Sequence, residues 1–583
     1  MLFLSVHYVK SSAIQRLFST GLNKVRSPLR MVRRIMDTSS DPKILIVGAG
    51  PSGLLLALTL CRNGIPVRII DKLPSPSIGQ RGPGVMPRTQ EIFRALGVLD
   101  GINEHAIVAP QIRTYIAPDG VVPHQTFHMM PPVDRTPACP HPDLILVGQN
   151  DVEGILRAAL REYSCEVEYG TELVSLAQDA DGVDATITTQ DVRQETRRFT
   201  FLVGADGGRS AVRKQLGLAF LGESRPSLKY VIADIMVEGI DGDHWHAWGK
   251  APADNLYLRP AKVPGLFGLF MLLSEVDNDF EAVMKDRHSL EKTIANITGR
   301  KDLKVLEVLW ITKWTPNIRI VDKFSAGRCF VAGDAAHAQS PTGGQGTNSG
   351  IQDSFNLAWK LALVLRGQAP MALLDTYHEE RSPVIQTMLI KTTELLNAYV
   401  DVKDSDSASN WDRDTSMFML GINYRWSALV VDEQDGEKDV PMDPYGVHTR
   451  GLRAGDRAPD APELEDLVHG GPPTRFFDVL DVSRHTVLVF SASPERYSAV
   501  LETLSRFPQG TARCVAIVPS GASAADIHGP DIILEDTQKH AYSGYGFKMG
   551  CDIVVVRPDG VLGAVVRSSA GLEQYFRQIF VST

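Results

Sequence analysis

The sequence predicts an α/β protein of several domains, and three observations predict it. A short apolar run rich in β-branched residues, Lys43–Val47, leads into a glycine turn, a helical run and a second strand. Two more glycine-bearing turns, at 204–209 and 333–346, each follow an apolar strand. The last third runs strand, helix, strand, strand hairpin and helix. With the strand-like residues 229–320 between the last two turns, these describe a Rossmann-type dinucleotide-binding domain with a sheet inserted into it and a smaller α/β unit after it. The length of 583 residues suits two to four domains at roughly 150 residues each.

The first element carries the most chemistry. Strand Lys43–Val47 runs into Gly48-Ala49-Gly50-Pro51-Ser52-Gly53, then the helical run Leu54–Arg62, closed by Gly64. The second strand, Val67–Ile70, ends at Asp71 and Lys72, with Asp71 eighteen residues past Gly53. Gly48 permits the tight turn, Gly50 lets a pyrophosphate approach the backbone, and Gly53 lets helix and strand pack closely. The helix N-terminus offers free N–H groups to phosphates. Asp71 can accept hydrogen bonds from ribose hydroxyls. NAD and FAD both satisfy this turn, and the turn alone does not choose between them.

The next elements narrow the choice. Strand Phe199–Val203 precedes Gly204-Ala205-Asp206-Gly207-Gly208-Arg209-Ser210-Ala211-Val212-Arg213. Strand Arg328–Ala332 precedes Gly333-Asp334-Ala335-Ala336-His337, then Ser340-Pro341-Thr342-Gly343-Gly344-Gln345-Gly346-Thr347-Asn348 and a helix from Ser349 to Leu365. Taken in order and spacing, these three segments closely resemble the FAD-dependent aromatic hydroxylases of the p-hydroxybenzoate and phenol hydroxylase group. The resemblance spans about residues 41–395.

The resemblance implies FAD as cofactor. By it, Gly48, Gly50, Ser52, Gly53, Asp71 and Lys72 hold the adenine side. Asp334 binds the ribityl chain, and Gly344, Gln345, Gly346, Thr347 and Asn348 lie along the pyrimidine edge of the flavin. Gln149, before the helix Asp151–Arg161, matches a family glutamine that contacts FAD. Asp206 and Gly207 serve both FAD and the reductant, and Gly82 and Gly84 approach the flavin as backbone. It also implies a mechanism: NADPH or NADH binds transiently and reduces the flavin, O₂ adds to give a C4a-hydroperoxyflavin, and one oxygen atom passes to an electron-rich aromatic ring. A helix N-terminus after residue 348 suits the charge of a reduced flavin. His337 reads more readily as a structural histidine than as a chemical one.

Residues 229–320 read as strands Tyr230–Val237, Trp245–Lys250, Asn255–Leu258, Leu266–Leu273 and Leu306–Lys313. In the family such a sheet covers the flavin and lines the substrate pocket. His244, His246 and Trp248 alternate and so share one face of a strand; they are the pocket candidates. One departure stands out. Phenol hydroxylases carry an acid just before the Pro-Arg-Thr element, and here Pro83 takes that position in Arg81-Gly82-Pro83-Gly84-Val85-Met86-Pro87-Arg88-Thr89. A proline removes no phenolic proton. The substrate is then already activated, or another base such as His246 serves, or the substrate is not a simple phenol.

The remaining segments divide the chain. Residues 41–228 and 321–400 form the two parts of the FAD-binding domain, 229–320 the substrate sheet, 401–450 a polar linker and 451–583 a last domain, with helical Ala372–Val400 closing the flavin unit. The last domain runs strand Thr486–Ser491, helix Pro494–Phe507, strand Arg513–Val518, strand Asp552–Val556, turn 557–560, strand Val561–Val566 and helix Leu572–Phe580. It resembles the thioredoxin-like C-terminal domain of phenol hydroxylase relatives. It has no CxxC pair, which argues against dithiol redox work and leaves a scaffold or homodimer role.

Composition sets the outer bounds. A net charge of −9 argues against a nucleic-acid scaffold. Six cysteines with no dense framework point to an intracellular, cytoplasmic chain. Residues 1–40 hold seven basic residues and one acid, which suits either a mitochondrial transit peptide or an upstream extension with Met36 as the working start. The longest apolar stretch, 44–61, is broken by glycines and a proline and reads as strand–turn–helix, with no transmembrane span. His124, His128, Cys139 and His141 have no tight ligand spacing, so no metal is expected. The tryptophan pairs 245/248 and 310/314 do not fit the WxWxIP signature of flavin halogenases. An epoxidase or Baeyer–Villiger-type oxygenation on the same fold is the alternative within the class. A non-catalytic FAD-fold binding protein is the alternative outside it.

Overall fold

The computed structural model describes residues 41–116, 118–249, 254–273, 280–400, 413–434, 442–446, 451–522, 526–546 and 551–581. The basic leader 1–40 and the linker segments 401–412, 435–441 and 447–450 lie outside the described residues.

The first sheet has six strands in the order Ser325–Ala326, Cys329–Val331, Phe201–Gly204, Ile44–Val47, Val67–Asp71, Val167–Tyr169. All its pairs are parallel except the two-residue strand at the edge. Ile44–Val47 lies at the centre, between Phe201–Gly204 and Val67–Asp71, and all four of its residues are buried. Burial on both faces is why this strand reads as a continuous apolar run and does not alternate. Helix Pro51–Arg62 covers the sheet and packs on helices Gln149–Arg161 and Gly346–Leu365. The strand expected at Phe199–Val203 is two elements. Phe199 ends the hairpin strand Gln194–Phe199, and the parallel strand begins at Phe201. A single residue, Thr200, separates the two strands, and both bury a Phe beside it, which hides the break.

The second sheet has seven strands in the order Lys304–Trp314, Lys229–Glu238, Leu266–Leu273, Asn255–Pro260, Trp245–Gly249, Ile112–Tyr115, Pro123–Phe127. Its last two strands come from before residue 229, so the inserted sheet is not confined to 229–320. Those two strands are short and half-polar, and their sequence carries little strand signal. Helices Phe280–Lys285 and Arg287–Thr298 cover the outer face of this sheet.

The third sheet lies in the last domain, in the order Val431–Asp432, Leu562–Val566, Ile553–Val556, His485–Phe490, Ala512–Pro519, Ile532–Asp536, Leu464–Asp466. The hairpin expected around 557–560 forms, with Gly560 in the left-handed region at φ 72°. Residues 413–434, read from sequence as linker, are packed structure. Met417, Phe418, Met419 and Tyr424 join the core of the flavin-side unit, and Leu429 and Val431 join the core of the last domain. A polar, acidic surround masks these apolar residues in the sequence. Helix Asp375–Val400 begins later than expected, because residues 371–374 form a 3₁₀ turn.

Candidate functional site

The three glycine turns converge at the C-terminal ends of the first sheet, where ligands bind in open α/β folds. A Cβ at Gly48 would stand 2.3 Å from the Ala205 carbonyl oxygen, so the first and second turns meet as backbone on backbone. A Cβ at Gly333 or Gly350 would stand 2.4 Å from Ser52 Oγ, so the third turn and its helix close on the first. Ser354 Oγ donates to the Ser52 carbonyl at 2.8 Å and fastens this contact. At Gly50, Gly207 and Gly208 the opposite holds, since a Cβ would meet nothing within 4 Å. These three glycines border an open cleft.

Carboxylates line that cleft. Asp71 accepts the Ala49 N–H at 2.8 Å and the Leu73 N–H at 2.9 Å, which ties the glycine turn to the second strand. Asp206 Oδ2 accepts the Ala211 N–H at 2.6 Å and caps a short helix, while its buried Oδ1 has no partner among the described residues. Burial lifts the Asp206 carboxyl above the usual carboxylate range, against the hydrogen bonds it accepts. Asp334 is exposed at the third turn, with protein close around it. That burial raises its carboxyl, against the pull of His337 and Arg81. An orphaned acceptor, a carboxylate in a cleft and glycines with free approach fit the hydroxyls and phosphates of a dinucleotide.

The flavin-edge candidates divide into backbone and side-chain roles. Gly344 is exposed, Gly346 and Thr347 are half-buried, and their backbone borders the cleft. Gln345 and Asn348 are buried braces. Gln345 Nε2 donates to the carbonyls of Gly343 and Met417 at 2.9 and 3.0 Å. Asn348 accepts the Met86 N–H at 2.9 Å and donates to the Gly84 carbonyl at 2.9 Å. It thereby fixes the segment that carries Gly82 and Gly84. Gln149 donates to Glu153 at 2.8 Å at the start of its helix. Lys72 is exposed. His337 is fully buried, with Nε2 at 2.7 Å from Asp353 Oδ2. The same Asp353 oxygen accepts the Gly333 N–H at 3.1 Å, and Arg381 Nε donates to Oδ1 at 2.7 Å. His337 is thus a brace of the third turn, together with Asp353 and Arg381.

The second sheet shows which of its faces turns toward the cleft. Gln80 N–H donates to Asp234 Oδ2 at 2.7 Å, and a Cβ at Gly79 would stand 2.7 Å from the Trp310 ring. Arg81, next in the chain, lies over the same ring at 5.9 Å and acts on Asp334. Asp234 and Trp310 are paired across strands, so they share the inner face. Following the register outward places Gly268, Phe270, Tyr257, Arg259, Ala247, Trp245, Ile112 and Thr114 on that face as well. His244, His246 and Trp248 are on the other face. Trp248 is 3% exposed in the outer core under helix Arg287–Thr298, and its indole donates to the Gly120 carbonyl at 2.9 Å. His246 is fully buried between Tyr115 and the Asp241 carbonyl. The three do share a face, but it is the outer one. Alternation groups residues without saying which group faces inward. His246 therefore does not replace the acid missing at Pro83.

Residues 41–392 match the family model described as FAD binding domain. The chain belongs to this FAD-binding family of flavin-dependent monooxygenases. It is 33% identical over 538 residues to a flavin-dependent monooxygenase of Mycobacteroides abscessus, covering 92% of this chain and 99% of that one. It is 30% identical to the pentachlorophenol 4-monooxygenase of Sphingobium chlorophenolicum, covering 84% and 88%. In fold it is similar to a flavin-dependent monooxygenase solved with FAD and substrate, with a TM-score of 0.75, 24% identity and coverage of 92% and 97%. It is also similar to an aklavinone-11 hydroxylase solved with FAD and aklavinone, with a TM-score of 0.73, 24% identity and coverage of 92% and 98%.

As a member of this family the protein is an FAD-dependent enzyme, an oxidoreductase of the monooxygenase type. Sequence reasoning missed Asp234, Arg259 and Arg381 at its site. Arg259 carries a readable signal, a lone charge at an inward position of the apolar strand Asn255–Pro260. Arg381 has none, because it lies in a polar stretch of helix and only the fold buries it.

Proposed function

We propose that the enzyme hydroxylates an aromatic small molecule of phenolic or polyketide type with one atom of O₂, using NAD(P)H as a transient electron donor. One observation carries this reading: segment 79–86 is wedged between the glycine-lined cleft and the aromatic inner face of the second sheet. A ring held on Tyr257, Phe270 and Trp310 would lie against whatever that cleft binds. The names of the relatives, a pentachlorophenol 4-monooxygenase and an aklavinone 12-hydroxylase, agree with it.

FAD, when bound, supplies the activation of O₂. The chain's part is to hold, orient and keep dry. Gly48, Gly50, Ser52 and Gly53 would seat the pyrophosphate, Asp71 and Lys72 the adenosine, and Asp206, Gly207 and Asp334 the sugar and ribityl hydroxyls. Backbone at Gly82, Gly84 and 344–347 would face the isoalloxazine, with Gln149, Gln345 and Asn348 keeping that backbone in place. Aromatic residues on the sheet side exclude water from the reacting centre.

The same reading treats residues 451–583 as thioredoxin-like, supported by parallel strands His485–Phe490 and Ala512–Pro519 beside an antiparallel hairpin. It takes the enzyme as a cytoplasmic homodimer. All six cysteines are free, which suits a reducing compartment, and among the described residues no helix is long and apolar enough to cross a membrane.

The test is NADPH and NADH oxidation across a panel of phenols, benzoates and polyketide aromatics, with product mass measured. A gain of one oxygen atom supports the proposal. Flavin-loaded protein that gives no oxygenated product with any aromatic in the panel overturns it.

A further inference from the structure

Three polar atoms on the inner face of the second sheet are buried and have no hydrogen-bond partner among the described residues: Thr114 Oγ1, Trp245 Nε1 and Arg259 Nε. They stand on three adjacent strands, Ile112–Tyr115, Trp245–Gly249 and Asn255–Pro260. All three can donate. Buried donors without acceptors are uncommon in folded proteins, because each forfeits its hydration for nothing.

The surroundings favour one orientation. Gly268 lies across from both Asp234 and Arg259 on the neighbouring strands. A Cβ there would stand 2.3 Å from Arg259 Nη2, so the guanidinium lies over this glycine. Its Cζ is 5.8 Å from the centre of the Trp245 ring. Asp234, the acid acting on it, has both oxygens held by Gln80. Burial lowers the guanidinium to about 10, so it remains charged at neutral pH. Beside it stand the apolar and aromatic Ile112, Ala247 and Tyr257, with Phe127, Met129 and Tyr399 against them. A cation and two neutral donors at the edge of an aromatic patch match a flat ring bearing an anionic oxygen.

We propose that Arg259, Trp245 and Thr114 form a donor subsite for an ionised oxygen carried on the substrate ring. This rests on the aromatic hydroxylase reading above and adds the charge of the group recognised. Arg259 is the anchor, and the other two direct the oxygen. Such a subsite also bears on Pro83, since a substrate bound already ionised needs no acid-derived base at that position.

Two probe pairs test it on flavin-loaded enzyme: pentachlorophenol against pentachloroanisole, and emodin against its tri-O-methyl ether. Binding is read as the perturbation of flavin absorbance. Wild type is expected to bind the ionisable member at least about tenfold tighter in one pair or both. Arg259→Met should remove that preference and leave the ether's affinity and the flavin content unchanged. Arg259→Lys should retain part of it. Gly268→Ala, which displaces the guanidinium and keeps the charge, should weaken it and serves as the second variant where Arg259→Met does not fold. A full preference in Arg259→Met or in Gly268→Ala overturns the assignment. So does the absence of preference, or of binding, in wild type with both pairs. Preference without oxygenated product leaves the subsite standing and removes the proposed activity instead.

Discussion

The indole N–H of Trp426 donates to the carbonyl of Glu379 at 3.0 Å. Glu379 lies four residues before Pro383, which sits inside helix Asp375–Val400 and has no N–H to return. The indole supplies the donor that the proline lacks. The preceding turn of this helix also presents Glu380 and Arg381, so the repair holds in place two residues on which the site depends. Trp426→Phe keeps the ring and loses the bond. It is expected to cost about 1 kcal/mol in denaturant unfolding, and an unchanged midpoint would count against this account.

Gly50 and Gly53 stand three positions apart and should respond in opposite ways. A Cβ at Gly53 would stand 2.0 Å from the Gly48 carbonyl oxygen, whereas one at Gly50 meets nothing within 4 Å. Gly53→Ala should destabilise the apoprotein by about 2 kcal/mol or more. Gly50→Ala should leave its stability within about 0.5 kcal/mol and weaken FAD binding. Unfolding of the apoprotein and FAD titration by fluorescence separate the two effects.

Asp334→Ala removes the carboxylate from the cleft and leaves the packed turn behind it intact. Losing hydrogen bonds to a charged group is expected to weaken FAD by roughly 10- to 100-fold. The ratio of visible to ultraviolet absorbance after gel filtration reads the loss directly, and full flavin content in the variant would remove Asp334 from its assigned role.

Asp353 gives the fold a pH signature. Burial by itself would raise its carboxyl, but Arg381 and His337 outweigh burial and hold it down at about 2. The unfolded chain titrates near pH 3.9, so the ionised form favours the folded state by about 2–3 kcal/mol. This contribution is complete above about pH 4 and is lost as pH falls from there through 2. The stability gap between wild type and Asp353→Asn should be flat from about pH 7 to 5 and narrow below about pH 4. A gap independent of pH would show that the carboxyl is not the coupled group.

Glu380 ties the last domain to the flavin-side helices. It accepts from Arg557 at 2.7 and 2.9 Å, from Lys360 at 2.8 Å, from Asn356 at 2.6 Å and from Ser427 at 2.7 Å. Arg557 also holds Asp559, and every charged side chain in this set is at most 2% exposed. Removing one partner strands the others, so Arg557→Met should cost about 3–5 kcal/mol. Limited proteolysis should then cut between the domains first. A variant as resistant as wild type would assign the coupling elsewhere.

The three turns were legible in the sequence because each needs glycine for a stated contact, and such needs leave a spaced pattern. Strand Leu266–Leu273 was read to the residue, since burial on both sides leaves an unbroken apolar run. The sidedness of the inserted sheet was not legible. Its alternation is the same whichever face turns inward, and only the wedge of Gly79, Gln80 and Arg81 against Trp310 and Asp234 decides it. The role of 413–434 was hidden for a related reason. Tyr424 and Trp426 earn their positions through Arg381 and Glu379, partners about forty residues away in the chain.

The hairpin at Arg557 is made 177 residues after Glu380, long after the flavin-side helices. Until then Glu380 and Lys360 have no cation and no acid from the far end to complete their set, although the neighbouring helices can already collapse. The packing behind the cofactor seat is therefore completed only by a segment far along the chain. Forms shortened before Arg557 should hold flavin less firmly than the full chain, however complete their glycine turns.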